Sequence, residues 1–446
     1  LSGAGVPNGS PPSRVSAEEA AAQVRSGDWV DYGAMLGQPD LFDRALAARK
    51  HELHGVKIRG NFSMRPRAVI EADPEGEHFC FLSWHFSHLD RKQHDAGRAS
   101  YIPMNFGEAP DYYRRFVERV DVACIKTAPM DEHGYFNFGP CCTYMKAMTE
   151  RAKVLIVETC PAFPMVYGAQ EAVHASEVDF VIEGEDAPLP EVVNPPASEV
   201  DRRVAERIAA EIEPGACLQI GIGGMPNAVC AALRHAGVRD LGVHTEMLVD
   251  SMVDLYEAGL VTGARKRLNP YQMVFTFAAG SRRLYEFIHR NPGAQTFPVD
   301  YTNLPQNIQQ NDAVVSINNT TQIDLQGQAA SESAGSRHIS GTGGQLQFVR
   351  GAYASRGGKS FICLASTFEK NGRRESRIAS SLTPGNIVTT PRTDMMYVVT
   401  EWGMVNLKGK SVPERAKALI ALAHPDFRES LEREAREKGL IPRAFC

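Results

Sequence analysis

Short, nearly continuous apolar runs alternate with amphipathic stretches along most of this chain. The runs at 120–125, 154–158 and 180–183 have the length and even apolarity of parallel strands buried on both faces. Ser16 and Glu19 form a capping-box pair that opens a helix over 17–25, and 29–32 follows as a strand. Beyond the proline-rich stretch 188–196 the alternation resumes. A helix is expected over 200–212, a strand at 217–220, a turn at 221–226 and a helix over 227–235. Residues 241–246 read as a strand, 251–258 as a helix, and 273–278 with 281–289 repeat the unit. Residues 314–318 and 322–325 read as paired strands around a polar turn. Strands at 361–365 and 396–400 precede two closing helices, 413–423 and 426–438. The second is so charged that a solvated outer helix is expected. The pattern predicts an α/β protein with a leader over 1–15 and two domains, 16–195 and 196–446.

Composition narrows this picture. The 446 residues are 43% hydrophobic and 23% charged, as in a soluble globular enzyme of more than one domain. A net charge of -5 disfavours nucleic acid, and no apolar run is long enough for a membrane span. Nine cysteines, with Cys141 beside Cys142 and no C-x-x-C pair, read as buried thiols in a reducing compartment. That favours the cytoplasm, or the mitochondrial matrix if a transit peptide was removed ahead of Leu1. The small, polar, Pro/Gly-rich start is not a signal peptide, because no apolar segment follows it.

Candidate chemistry concentrates in the second half. GIGGMP at 221–226 would be a dinucleotide fingerprint but for Pro226, which stands where the third glycine is needed. A glycine-dense turn between strand and helix remains: a tight turn by default, or a backbone cradle for an anionic or thioester ligand. Two more glycine pairs, SGTGG at 340–344 and RGGKS at 356–360, have Arg350, Arg356 and Lys359 nearby and suit phosphate groups. Glu246 in HTEM is a candidate nucleophile, or simply a carboxylate at a helix start. Glu332 and Glu401 are rival acids, and Asn303 by default is a turn residue. His85, His88 and His94 are too loosely spaced to specify a metal, so none is expected. His244 is expected to be packed or hydrogen-bonded, and no G-x-S-x-G elbow occurs.

GIGGMPNAV, LGVHTEMLVDSMVDLYEAGLVTG, VDYTNLP, VSINNTTQIDLQGQAASES, SGTGGQLQF, RGGKS and VVTEWGMVNLKGKS occur in one order, after PMDEHGYFNFGP in the first half. This set resembles the acetyl-CoA hydrolase/transferase family of CoA-transferases, above all its 4-hydroxybutyrate and butyryl-CoA:acetate members. The resemblance implies two tandem NagB/RpiA-like α/β domains with the active site between them, and a homodimer or larger homo-oligomer. It makes Glu246 the glutamate that forms a glutamyl-CoA thioester. It places Gly221, Ile222, Gly223, Gly224 and Met225 at CoA, together with Thr321, Gly344 and Arg356. Asn303 and Gly344 become oxyanion donors, Glu401 a second acid and Ser63 a contribution from the first domain. Arg356 replaces a lysine common in relatives, and Trp402 replaces a tyrosine or glutamine.

The implied reaction moves CoA from a short-chain acyl-CoA to a free carboxylate such as acetate, with no metal or ATP. Hydrolysis through the same intermediate is the alternative within enzymes. A non-catalytic CoA sensor is the alternative outside them, and the joint presence of Glu246, Asn303 and Glu401 argues against it.

Overall fold

The structure is a computed structural model and describes residues 11–192 and 195–443. The leader expected over 1–15 lies outside the described residues as far as residue 10, and so do residues 193 and 194 of the proline-rich stretch. The chain forms two compact units. The first comprises residues 1–192 with 246–248 and 274–302, the second the remainder. A single cut at 195 therefore does not reproduce the units, because two later segments pack with the first.

The first unit is built on strands β1 (Ser13–Arg14), β2 (Trp29–Ala34), β3 (Val56–Asn61), β4 (Phe79–Ser83), β5 (Ala99–Tyr101), β6 (Val120–Thr127), β7 (Ala152–Thr159) and β8 (Phe180–Ile182). They form one eight-stranded sheet in the order β1-β8-β7-β6-β2-β3-β4-β5. Every pairing is parallel. β6 is buried along its whole length, as its apolar run predicts. β3 escapes the sequence pattern because Lys57 and Arg59 interrupt its apolar positions, and β4 and β5 are not among the expected strands either. Helix α1 (Ala17–Ala21) carries the expected capping box from Ser16 and Glu19 and is shorter than expected. Helix α2 (Leu41–Ala48) buries Phe42, Ala45 and Leu46 against Tyr32 and Ile58. Its N-terminus receives a carboxylate from β7: Glu158 accepts N–H bonds from Asp40, Leu41 and Phe42 at 2.9, 2.9 and 3.0 Å. The helix dipole and three donors offset the cost of burying that charge.

The stretch 188–192 is hydrogen-bonded into this unit. Tyr285 Oη donates to the Pro190 carbonyl at 2.9 Å, and the Val192 N–H to the Gly280 carbonyl at 3.0 Å.

The second unit contains β9 (Cys217–Ile220), β10 (Gly242–Val243), β11 (Val314–Asn319), β12 (Lys359–Cys363), β13 (Tyr397–Thr400) and β14 (Gly403–Asn406). These make a six-stranded sheet ordered β10-β9-β11-β12-β13-β14, parallel except for the last hairpin. Its helices include α3 (Glu199–Ala209), α4 (Gly224–Leu233), α5 (Asp250–Glu257), α6 (Gln345–Ala354), α7 (Val412–Leu422) and α8 (Pro425–Glu437). Two expectations are corrected. β11 does not pair with 322–324; it lies between β9 and β12, while Gln322–Asp324 pairs with Ala329–Ala330 and Ile378–Ala379. The continuous apolarity of VVSIN marks a central strand, not half of an exposed hairpin. Helix α8 is not solvated all round: Leu431 and Ala435 join the core of Leu419, Val398 and Ile362. Its charges occupy the other face.

The most exacting electrostatic contact in the first unit joins β2 to β3. Arg59 donates to both oxygens of Asp31 at 2.8 and 2.7 Å, and Tyr113 Oη donates to Asp31 Oδ1 at 2.6 Å. Asp31 is wholly buried and Arg59 nearly so. Asp31→Ala leaves a buried guanidinium unpaired and is expected to cost roughly 3–5 kcal/mol. Replacing both residues by apolar ones of similar volume should recover most of that loss. Denaturant unfolding followed by circular dichroism checks both; equal loss in the single and double variants would contradict the account.

Candidate active site

Most candidate residues fall just past the carboxyl ends of parallel strands, where open α/β sheets hold their ligands. In the first unit, Ser63 follows β3. It is buried, its N–H donates to Asp90 Oδ2 at 2.8 Å, and its hydroxyl has no hydrogen-bond partner. Its neighbour Phe62 has φ of 51°, a left-handed conformation that a phenylalanine rarely adopts. An orphaned buried hydroxyl beside strained backbone is what a ligand-facing turn leaves behind.

In the second unit, β9 runs into Gly221–Met225. A Cβ on Gly221 would meet nothing within 4 Å, so the turn borders open space. Gly223, with φ of 124°, stands at the N-cap of α4, and no side chain caps that helix. A Cβ on Gly224 would lie 3.0 Å from Asp201 Oδ2 and 3.4 Å from Ala197 Cα, inside the capping box of α3. Gly223 is thus required for chain direction and Gly224 for close helix packing. α4 begins three residues earlier than the expected 227, because the glycine itself serves as the cap.

The strand expected over 241–246 ends early, at Val243; Met247–Leu248 is a separate strand, paired with Phe277–Ala278. Glu246 sits at this break and is half-buried. Its carbonyl accepts from the N–H groups of Thr276 and Phe277 at 3.0 and 3.2 Å. It is not a helix-start carboxylate, since α5 begins at Asp250. His244 is buried, and its N–H donates to the Leu218 carbonyl at 3.1 Å.

Asn303 is fully buried at the end of the helix Val299–Asn303, not in an exposed turn. Gly344 is the N-cap of α6, again without a side-chain cap, and follows Gly343 with φ of 56°. Thr321, just after β11, donates its hydroxyl to the carbonyls of Ala330 and Ser333 at 2.6 and 3.1 Å. Arg356 is highly exposed and pairs with Asp312. Glu401 follows β13 and is buried. Its carboxylate accepts from the Ser366 N–H at 2.9 Å and the Ser366 hydroxyl at 2.5 Å. Trp402 Nε1 donates to the same hydroxyl at 3.1 Å. Ser366 was not foreseen; its one sequence signal is its place just past β12.

Glu332 is buried beneath Thr389 and Thr342, whose hydroxyls approach its carboxyl at 2.8 and 3.4 Å. Thr342 belongs to the same turn as Gly344. His94 Nδ1 lies 2.7 Å from the Ala99 carbonyl, with its ring against Phe86.

Two largely parallel sheets, with glycine-lined turns and carboxylates just past their strand ends, give the chain the layout of an α/β enzyme. Residues 12–193 match the acetyl-CoA hydrolase/transferase N-terminal domain, and residues 280–435 the C-terminal domain of the same name. The chain is 47% identical to a butyryl-CoA:acetate CoA-transferase of Anaerostipes caccae, over 96% of each. Among solved structures, RipA from Yersinia pestis superposes with a TM-score of 0.87 at 37% identity, over 96% of this chain and 98% of RipA. A 4-hydroxybutyrate CoA-transferase from Porphyromonas gingivalis does so at 0.77 and 32%, with the same coverage. The chain belongs to the acetyl-CoA hydrolase/transferase family and has its two-domain α/β CoA-transferase fold. It is a CoA-transferase: CoA passes from an acyl-CoA to a free carboxylate.

Burial raises the Glu332 carboxyl above its ordinary 4.5. Between that value and the raised one, the folded chain holds a proton the unfolded chain has released, so stability falls as pH rises through the window. Glu332→Gln should therefore gain stability relative to the parent as pH climbs from about 4.5, and keep that gain at about pH 8. Thermal unfolding across pH measures it; midpoints that differ by a constant amount would refute the assignment.

Proposed function

We propose that Glu246 is the nucleophile and that the transfer runs through a glutamyl-CoA thioester on it. The observation that carries this reading is the place of Glu246 between two short strands of different sheets, Gly242–Val243 and Met247–Leu248. Its main chain is fixed by the N–H groups of Thr276 and Phe277, and it is half-buried, whereas the rival acids Glu332 and Glu401 are buried. The Glu246 carboxylate attacks the thioester carbonyl, giving an acyl-glutamyl anhydride and CoA thiolate. The thiolate then attacks the glutamyl carbonyl, forming glutamyl-CoA and releasing the first acid. A second carboxylate reverses the sequence. The thioester bond is conserved, so no external energy source is needed.

Two oxyanions arise on two different carbons. The Gly221–Met225 turn is assigned to one, and Asn303 with the Gly344 N–H to the other. Each donor in such a set is worth about 3–4 kcal/mol of barrier. Glu401 is assigned as a second acid and Ser63 as an acyl-side contact. Met225, Thr321 and Arg356 are assigned to CoA, and Thr321 there would act through the carbonyls it already ties. The acyl group is short: butyryl, 4-hydroxybutyryl or acetyl, with acetate or a similar acid as acceptor. The kinship to butyryl-CoA and 4-hydroxybutyrate enzymes supports that range.

NagB/RpiA-like identity for the domains, taken as 16–195 and 196–446, is supported by parallel sheets in both units. A homodimer or larger homo-oligomer is assigned on the motif resemblance alone. Cytoplasmic location fits eight described cysteines that are all free. No helix among the described residues is long and apolar enough to cross a membrane.

Incubation with acyl-CoA but no acceptor should leave an adduct on Glu246, trapped by borohydride or hydroxylamine and located by peptide mapping. An adduct at Glu332 or Glu401 would overturn the assignment. Glu246→Asp retracts the carboxylate by about 1.5 Å and should lose most activity, on the order of 100-fold or more.

Double-reciprocal plots at several acceptor concentrations should be parallel, as a shared covalent form requires. Without acceptor, free thiol should appear slowly, and added acetate or butyrate should speed donor consumption while thiol stays nearly flat. Stoichiometric thiol release indifferent to added acid would make hydrolysis the main reaction.

A further inference from the structure

Lys266 is a buried lysine in the loop after α5. Its Nζ donates to the Val243 carbonyl at 2.8 Å and to the Gln272 carbonyl at 2.6 Å. Its stem lies across Gly242 in β10: a Cβ there would fall 2.6 Å from Lys266 Cγ and 2.9 Å from Cδ. Glycine at 242 is what lets the lysine pass beneath the strand. Burial pushes the ammonium down to about 8. An apolar side chain would fill the same space without desolvating a charge, so packing alone does not account for a lysine here.

The two carbonyls are special in where the chain goes next. Val243 ends β10, and the chain then runs through His244 and Thr245 to Glu246. Gln272 opens the segment that runs through Met273–Phe275 to Thr276, whose N–H donates to the Glu246 carbonyl at 3.0 Å. One ammonium therefore ties the roots of both segments: the one that carries Glu246 and the one that holds its backbone. Bonds from a cation to two carbonyls are stronger than neutral ones, and they fix direction as well as distance.

We infer that Lys266 is a positioning residue for Glu246, setting through the Val243 and Gln272 carbonyls where the Glu246 carboxylate stands. The inference rests on Glu246 being the nucleophile. It differs from a purely structural role in what it predicts: attack by the carboxylate is impaired while CoA binding is not.

The test compares the parent with Lys266→Met, which keeps the length of the stem and removes the ammonium. Single-turnover formation of the covalent adduct from acetyl-CoA is followed by intact mass, and CoA affinity by calorimetry. The adduct is expected to form about 10- to 100-fold more slowly, as a small misplacement of a reacting group would cause. CoA affinity should stay within about threefold of the parent, and the adduct should still map to Glu246. Adduct formation within about twofold of the parent overturns the inference, as does a loss explained by weaker CoA binding. An adduct mapping elsewhere in the parent overturns the nucleophile assignment itself, whatever Lys266→Met does. Should Lys266→Met fail to fold, Gly242→Ala displaces the stem while leaving the ammonium present. It carries the same expectation and the same overturning result.

Discussion

The two hydrogen bonds that end on the Glu246 carbonyl are the contact from which the catalytic reading follows. A carboxylate nucleophile has to be aimed within a fraction of an ångström, yet its own oxygens must be able to exchange partners during the reaction. Fixing the main chain meets the first of those demands. The N–H groups of Thr276 and Phe277 supply that fixation at 3.0 and 3.2 Å. Gly242–Val243 and Met247–Leu248 pair in different sheets, so residue 246 between them escapes the pleat that a continuous ladder would impose.

Several other carboxylates are held at their side-chain oxygens. Asp31 is held by a bidentate arginine and a tyrosine, Glu158 by three N–H groups of a helix start, and Glu401 by both donors of Ser366. Each buries charge by saturating its oxygens, which stabilises the local fold and restrains reactivity. Glu332 differs: burial raises its carboxyl, and two threonine hydroxyls contact it.

Much of the architecture was legible in the sequence because buried parallel strands leave uninterrupted apolar runs. β6, β7, β9 and β13 fall where those runs are, and the capping box at Ser16 marks its helix start. The misses have specific causes. β3 alternates apolar residues with Lys57 and Arg59, and Arg59 belongs inside only because Asp31 on the neighbouring strand neutralises it. That partnership joins residues distant in sequence and leaves no local pattern. The supposed hairpin at 314–325 failed because a short polar turn between two apolar runs does not say whether they pair with each other or leave for different sheets. Glycine at 223 reads as a turn in sequence, whereas in three dimensions it is the helix cap. Lys266 was invisible too, because its partners are carbonyls, which every residue possesses.

The same physics explains why chemistry was easier to read than acyl preference. The oxyanion roles proposed for Gly221–Met225 and Gly344 would need only glycines at fixed places, a requirement that a sequence records directly. An acyl pocket is defined by the shape left between side chains, and small changes there shift discrimination by only about 1–3 kcal/mol per methylene. Trp402 illustrates the difficulty. Its indole is tied through Nε1 to Ser366 and packs edge-on against His424, with Arg203 and Arg428 near its face. A residue so engaged is fixed by partners scattered along the chain, and no motif of neighbouring residues records where they hold it.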